Sequence, residues 1–563
     1  MRLYARLIVS LIYKIGIEDW RAEILSSLSA VYYGGLSMKR AMFALALAGA
    51  LLSGTAGAKT LRYANQGDLK SLDPYTLNET TTNAHINNVY EGLVRRDREL
   101  KIVPALAERW ENPEPTRWRF YLRKGVKFHN GEEFTADDVL FSADRIRQQG
   151  SNHTTRIPKD AKFVKVDDYT VDVILGTPNP ILLNQWEYWM IVSKKWSEAN
   201  GSAAPTPPNA QTPSYISLNA NGTGPLKIES HQPGVKTVFK PNAAWWDKPS
   251  HNLDDVVFTP ISSDATRVAA LLSGEVDIIE PVPIQDIQRV NSAANTQVLS
   301  GPELRTIYLG MDQTRDELLE SNVKGKNPFK DKRVREAFYK AIDIETIKTR
   351  VMRGLSTPSA LMIAPELFVF SKDFVRPKFD PDGAKKLLAE AGYPDGFEVG
   401  FDCPNDRYVN DGPICQAIIG MLARVGIKVN GLIQPKAQYF AKVLKPNGFK
   451  TSFYLLGWTP NTLDSHNVLY DIIGCRDDEK SARGETNLGG YCNKQVDALA
   501  DQVLGESDQA KRNQLIKQAF QLAVDDYAYI PLHQQALAWG VSKSLKLTQR
   551  ADNAVVLNWI VKD

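Results

Sequence analysis

The 563-residue chain is poor in the residue types that carry most enzyme chemistry, with four cysteines and seven histidines. The histidines (His85, His129, His153, His231, His251, His466 and His533) are scattered, and no H-E-x-x-H spacing exists to build a catalytic zinc site. There is no G-x-S-x-G nucleophile elbow and no G-x-x-x-x-G-K-[ST] phosphate loop, so any ATP hydrolysis must come from a partner. Long apolar runs are missing as well. The only notable one, Ala41 to Leu52, is shorter than the roughly 20 residues that span a bilayer. An excess of charge is absent too. Residues 1–58 hold 6 of the 68 basic and 3 of the 65 acidic residues, which leaves 62 of each from Lys59 onward. A balanced chain offers nucleic acid or an anionic membrane no field to follow.

What is present begins with a leader. Met38-Lys39-Arg40 opens a basic segment, the apolar run follows, and Ala56-Gly57-Ala58 supplies the small-x-small site of a secretory signal peptide. The expectation is that Met38 is the true initiator, that residues 1–37 are a mis-assigned start, and that the exported protein begins at Lys59. Some 500 residues then require two or three domains (about 100–200 residues each). In an oxidising compartment Cys403, Cys415, Cys475 and Cys492 are expected to form disulfides. Three pairings are open. The local pairs 403–415 and 475–492 close the shortest loops, and no C-x-x-C spacing favours zinc.

Along the chain, helices and strands alternate. "NNVYEGLVRRD" reads as a helix ending near Gly92. Trp118, Phe120 and Leu122 alternate with Arg117, Arg119 and Tyr121 in the period of a half-buried strand. Asn130-Gly131 signals a turn, and Thr135 with Asp138 forms a capping box ahead of a helix. Gly201 to Gly224, rich in Pro, Ser and Asn, reads as a linker or long loop. "SSDATRVAALLSGEVDII", "DPDGAKKLLAEAGYPDGFEVGFD" and "ICQAIIGMLARVGIKVNGLI" each read as helix, glycine stop, strand. The class is α/β with mixed sheets.

"LAERWENPEPTRWRFYLRKGVKFHNGEEFTADDVLFSADRI" resembles the hallmark segment of the family 5 extracellular solute-binding proteins, which include the dipeptide and oligopeptide receptors of bacterial ABC importers. "GTGPLKI", "NAAWWDKP", "LLSGEVDII", "DKRVREAFYKAID", "LLAEAGYPDGFEV" and "IPLHQQ" follow in the family's order. The resemblance covers essentially 59–563. It implies a periplasmic-binding-protein-like fold of type II, with two lobes closing over a cleft and an extra domain on the first lobe. Lobe I is expected over 59–103 with 223–300 and 535–563, the extra domain over 104–222, and lobe II over 301–534. Its implied role is to bind a small molecule or peptide in the periplasm and deliver it to an ABC permease with its ATPase subunit. The protein is expected to act as a monomer, without cofactor, metal or catalysis. Hallmark residues read as scaffold.

Ligand residues are expected in "GWTPNTLDSHNV" (Gly457–Val468). In the family's peptide receptors this loop carries a Trp, then an Asp that pairs with the peptide ammonium. Here Trp458 matches, Asn461 occupies the Asp position, and Asp464 aligns with a second acidic position. The arginine that takes a peptide carboxylate in that family falls here near Gly412-Pro413. The nearest basic residue is Arg407, beside Tyr408, inside "CPNDRYVNDGPIC". The expected ligand is a di- or oligopeptide. The runner-up is a non-peptide solute such as an opine or other amino-acid conjugate, and a secreted hydrolase stands third.

Overall fold

The structure is a computed structural model describing residues 59–207, 210–444, 448–476 and 483–563. The expected leader, 1–58, lies outside the described residues. Among those described, no helix is long and apolar enough to cross a membrane.

Strands β1 (Thr60–Asn65), β2 (Val94–Arg96), β3 (Ile102–Pro104), β4 (Ala107–Glu114), β5 (Arg117–Leu122), β6 (Lys162–Asp167) and β7 (Thr170–Ile174) come first. Next are β8 (Leu226–Gln232), β9 (Lys236–Pro241), β10 (Asp255–Pro260), β11 (Ile278–Glu280) and the long β12 (Thr296–Met311). Then come β13 (Thr357–Pro358), β14 (Glu398–Pro404), β15 (Lys428–Gln434), β16 (Phe453–Trp458) and β17 (Ile530–Ser542). The large sheet runs β15-β14-β16-β12-β17-β11-β1-β10-β9-β8, with β13 added beside β17, while β4-β5-β7-β6 form a separate antiparallel sheet.

β12 and β17 join the two halves of the large sheet. They pair antiparallel from Thr296 opposite Ser542 to Leu309 opposite Ile530. The domain boundaries expected at 300/301 and 534/535 fall inside these two strands. Their ladder breaks between Pro302 and Thr306, where proline has no N–H to donate. Such breaks re-aim side chains, and here Glu303 and Arg305 emerge at the join.

Local reading succeeds where the structure is local. β5 alternates burial as expected, with Phe120 and Leu122 inward. Asp138 accepts from Thr135 N at 2.9 Å and caps the helix Ala136–Ile146. Gly274, at φ 79°, ends the helix Asp264–Ser273 just before β11, a left-handed conformation that glycine adopts without strain.

"NNVYEGLVRRD" is not a helix. The helix there is Thr80–Ile86, and Val94–Arg96 is strand. The Asn88 and Val89 carbonyls instead accept from Leu226 N (3.0 Å) and Gly224 N (2.9 Å). A Cβ at Gly222 or Gly224 would meet Val89 O at 2.0 or 2.7 Å. The glycines of "GTGPLKI" therefore let a distant segment take the carbonyls that a helix would have used.

The extra sheet packs on fully buried Trp186 and Trp189, whose ring centroids are 4.7 Å apart. Arg145 anchors this region to the loop after β1. Its guanidinium holds Asp73 bidentately at 2.9 and 2.7 Å, with both side chains fully buried. The chain brings Cys403 to Cys415 and Cys475 to Cys492 within disulfide distance.

Candidate functional site

Two cavities open along the seam between the halves of the molecule. One, of about 230 Å³, is walled by Asn65, Thr80, Glu280, Glu303, Arg305, Arg407 and Tyr408, among others. The other, of about 460 Å³, lies between the extra region (Thr154–Pro158, Asn179, Gln185) and Asn461, Thr462, His466, Asn467, Tyr470, Asp471 and Glu485. The second falls within the roughly 300–1,000 Å³ of small-molecule sites.

The two cavities have separate linings, joined by hydrogen bonds between the elements that wall them. On one wall, Tyr408 Oη donates to Gly457 O (3.3 Å) and Trp458 Nε1 to Asn467 Oδ1 (2.8 Å), while Asn467 Nδ2 donates to Asp471. On the other wall Thr80 and Thr81 begin a helix, and Asn78, just before it, accepts from Arg156 Nη2 at 3.3 Å. Arg96 Nη2 reaches across the seam to Thr462 O (3.2 Å).

In the first cavity the Cys403–Cys415 segment folds back on itself. Asp411 accepts from the Arg407 and Tyr408 amides, each at 2.9 Å, and Asn410 takes φ 56°. This turn presents Arg407 to the cleft. Its guanidinium carbon stands 5.1 Å from the Tyr408 ring centroid, and that of Arg305 stands 5.9 Å away. Glu303 neutralises Arg305 at 3.0 Å. Arg407 has no carboxylate within ion-pair distance among the described residues. Burial, then the charge of Arg305, pulls its pKa below the ordinary arginine value. Glu280, pushed up to about 7 by burial, accepts from Tyr63, Asn65 and Asn553.

The second cavity holds further groups that lack partners. Arg156 is 3 % exposed and belongs to no ion pair among the described residues. Its Nη atoms make only long bonds to neutral oxygens (3.4 and 3.3 Å), and its Nε has no partner. Opposite it, Asp471 is pushed up to about 7 by burial and then by the charge of Glu485. Buried His466 falls to about 4 through desolvation, so it is neutral, and its Nε2 is unpartnered.

Of the residues expected from sequence, Arg407 and Tyr408 line the first cavity and Asn461 the second. Trp458, half-buried, is tied to Asn467 and packs against the neighbouring core. Asp464 has a different engagement. Arg512 grips both of its oxygens at 2.9 and 2.8 Å, and it caps the next helical turn by accepting from His466 N. The hallmark segment 106–146 lines neither cavity. Arg156, Asp471, Glu303 and Arg305 were not foreseen. The one available signal was that Asp471 follows closely on the Trp458 loop.

The architecture can hold a polar solute between two walls. A family model, bacterial extracellular solute-binding proteins, family 5, matches residues 101–480. The glutathione-binding protein GsiB of Escherichia coli (strain K12) is 26% identical over 514 residues, covering 90% of this chain and 94% of that one. A dipeptide-binding protein from Pseudoalteromonas sp. SM9913, solved with Met-Leu, superposes with a TM-score of 0.76 at 23% identity, covering 90% of this chain and all of that one. The binding protein AgaA of A. tumefaciens R10, solved with agropinic acid, gives a TM-score of 0.73 at 25% identity, covering 90% and 99%. With the motif order, the bridging strands and the seam in agreement, this chain belongs to the family 5 bacterial extracellular solute-binding proteins, receptors of the type II fold.

Proposed function

We propose that the protein is a periplasmic receptor of an ABC importer that captures a polar solute of mixed charge, a di- or oligopeptide or an amino-acid conjugate. It delivers this solute to a membrane permease, while a separate subunit hydrolyses ATP. The observation that carries the reading is Arg407, a cleft-facing guanidinium without a carboxylate of its own. Burying such a charge unpaired is costly, and a ligand carboxylate offsets the cost with a bidentate bond. Tyr408 and Asn461 contribute to the walls of the site, Trp458 braces the loop from behind through Asn467, and Asp464 holds it in place through Arg512. GsiB is a glutathione-binding protein, the Pseudoalteromonas receptor is solved with Met-Leu, and AgaA with agropinic acid.

Closure is a population shift, in which ligand touching both walls favours the shut form. Moving that balance from 1:99 to 99:1 needs about 5.5 kcal/mol, within reach of a few charged hydrogen bonds of about 1.5–3 kcal/mol each. The hinge is the β12–β17 pair, with the lobes divided at 300/301 and 534/535 and 104–222 as the extra domain. The protein works as a monomer, exported through a signal peptide cleaved before Lys59.

Mass spectrometry of the protein as purified is expected to find a bound acidic solute. Small-angle scattering is expected to show contraction when that solute is restored. Unchanged scattering across peptides and amino-acid conjugates, with hydrolysis products accumulating, would overturn the receptor reading. In the oxidising periplasm both cysteine pairs are disulfides, each closing a short loop and contributing about 3 kcal/mol. Reduction by dithiothreitol should therefore lower the urea midpoint markedly, and an unchanged midpoint would count against the bonds.

A further inference from the structure

We infer that the larger cavity is a subsite for a free α-amino-acid head, so that the preferred ligand is an amino acid conjugated through its side chain rather than an ordinary α-linked peptide. This rests on the receptor reading and narrows its ligand class.

Three observations carry it. Arg156, on the extra region, is nearly fully buried and lines the cavity with its Nε unpartnered and no carboxylate in ion-pair distance. Asp471, on the facing wall, lines the same cavity and likewise has no cation in contact among the described residues. The two side chains line the same space and form no ion pair with each other. A cation and an anion held apart across a cavity, one from each wall, are complementary to a ligand carrying both opposite charges close together.

An α-amino-acid head does so, with carboxylate and ammonium on one carbon. Its carboxylate would take the open donors of Arg156, and its ammonium would meet Asp471 and Glu485. Spanning the two walls, the head would also contribute directly to closure. An α-linked peptide cannot do this, because its first residue has given up its carboxyl to the amide, and its two free charges stand at opposite ends. A γ-linked glutamyl compound keeps the head intact and carries its second carboxylate away from it.

The test uses two isomers of equal composition and charge, γ-Glu-Gly and α-Glu-Gly, titrated calorimetrically into the full exported protein. The γ isomer is expected to bind at least about ten-fold more tightly, about 1.4 kcal/mol. Arg156→Gln and Asp471→Asn are each expected to erase that preference. Because the isomer comparison is made on the unmutated protein, a variant that fails to fold leaves the test intact. Equal affinities, or tighter binding of the α isomer, would overturn the inference. If neither isomer binds while another solute contracts the protein in scattering, the inference falls and the receptor reading stands. If no solute does so, both fall.

Discussion

Replacing Asp73 with alanine is expected to lower stability by about 3–5 kcal/mol, because it strands the Arg145 guanidinium in a fully buried site. Arg145 sits at the end of the capped helix Ala136–Ile146, and Asp73 lies in the loop after β1, so the pair joins the extra region to the first part of the chain. Asp73 also organises backbone around it, accepting from Tyr75 N at 3.1 Å and Thr206 N at 3.0 Å. Arg145 in turn donates to the carbonyls of Ser202 (3.1 Å) and Ala204 (3.0 Å), which pins the start of the Pro-rich loop there. Removing one partner leaves an uncompensated charge with those carbonyls and the Tyr75 ring, 5.1 Å away, to solvate it. Removing both with apolar residues of similar size is often close to neutral. The urea midpoint of Asp73→Ala should therefore fall sharply, and that of Asp73→Leu with Arg145→Met should recover part of the loss. A single-variant cost under about 1 kcal/mol, the range of surface pairs, would show that the pair does not bind the two parts together.

Replacing Arg407 with alanine is expected to weaken ligand binding by about 2–4 kcal/mol, the loss of a desolvated charge-assisted contact, or about 30- to 700-fold. Its backbone is held independently by Asp411 and the Cys403–Cys415 segment, so the fold should survive the change. Arg407→Lys should fall between the two, since a lysine keeps the charge but loses the planar fork. Titration with the co-purified solute measures this directly. Unaltered affinity in Arg407→Ala would place the ligand's carboxylate elsewhere and remove the observation on which the function proposal rests.

The elements legible from sequence were those whose determinants lie within a few residues. The alternation at 117–122, the Thr135–Asp138 capping box and the Gly274 stop each depend on neighbours in the chain, and each appears as read. The segment after Asn87 was misread because its carbonyls are satisfied by Gly224 and Leu226, over a hundred residues away, through an approach only glycine permits. The same limit governed the site. Arg407 and Asn461 could be singled out because they sit beside family landmarks. Asp464 looked equally available until Arg512, 48 residues on, closed on it from both oxygens. Arg156 could not be singled out at all, since it lies in no motif and shares a cavity with Asp471 only after the chain has folded.

Read alone, the order of motifs along the chain determines the family, and with it the bridged sheet and the cleft, because motif order fixes which strands follow which helices. The balance of 62 basic and 62 acidic residues says in addition that charges will mostly be paired. Only the tertiary structure decided which ones are not. The physical reason is that a Coulomb interaction depends on distance through space and on local dielectric, and is indifferent to how many residues separate the partners. Arg145, Arg512 and Arg305 meet carboxylates on folding, whereas Arg407 and Arg156 are left facing the cleft.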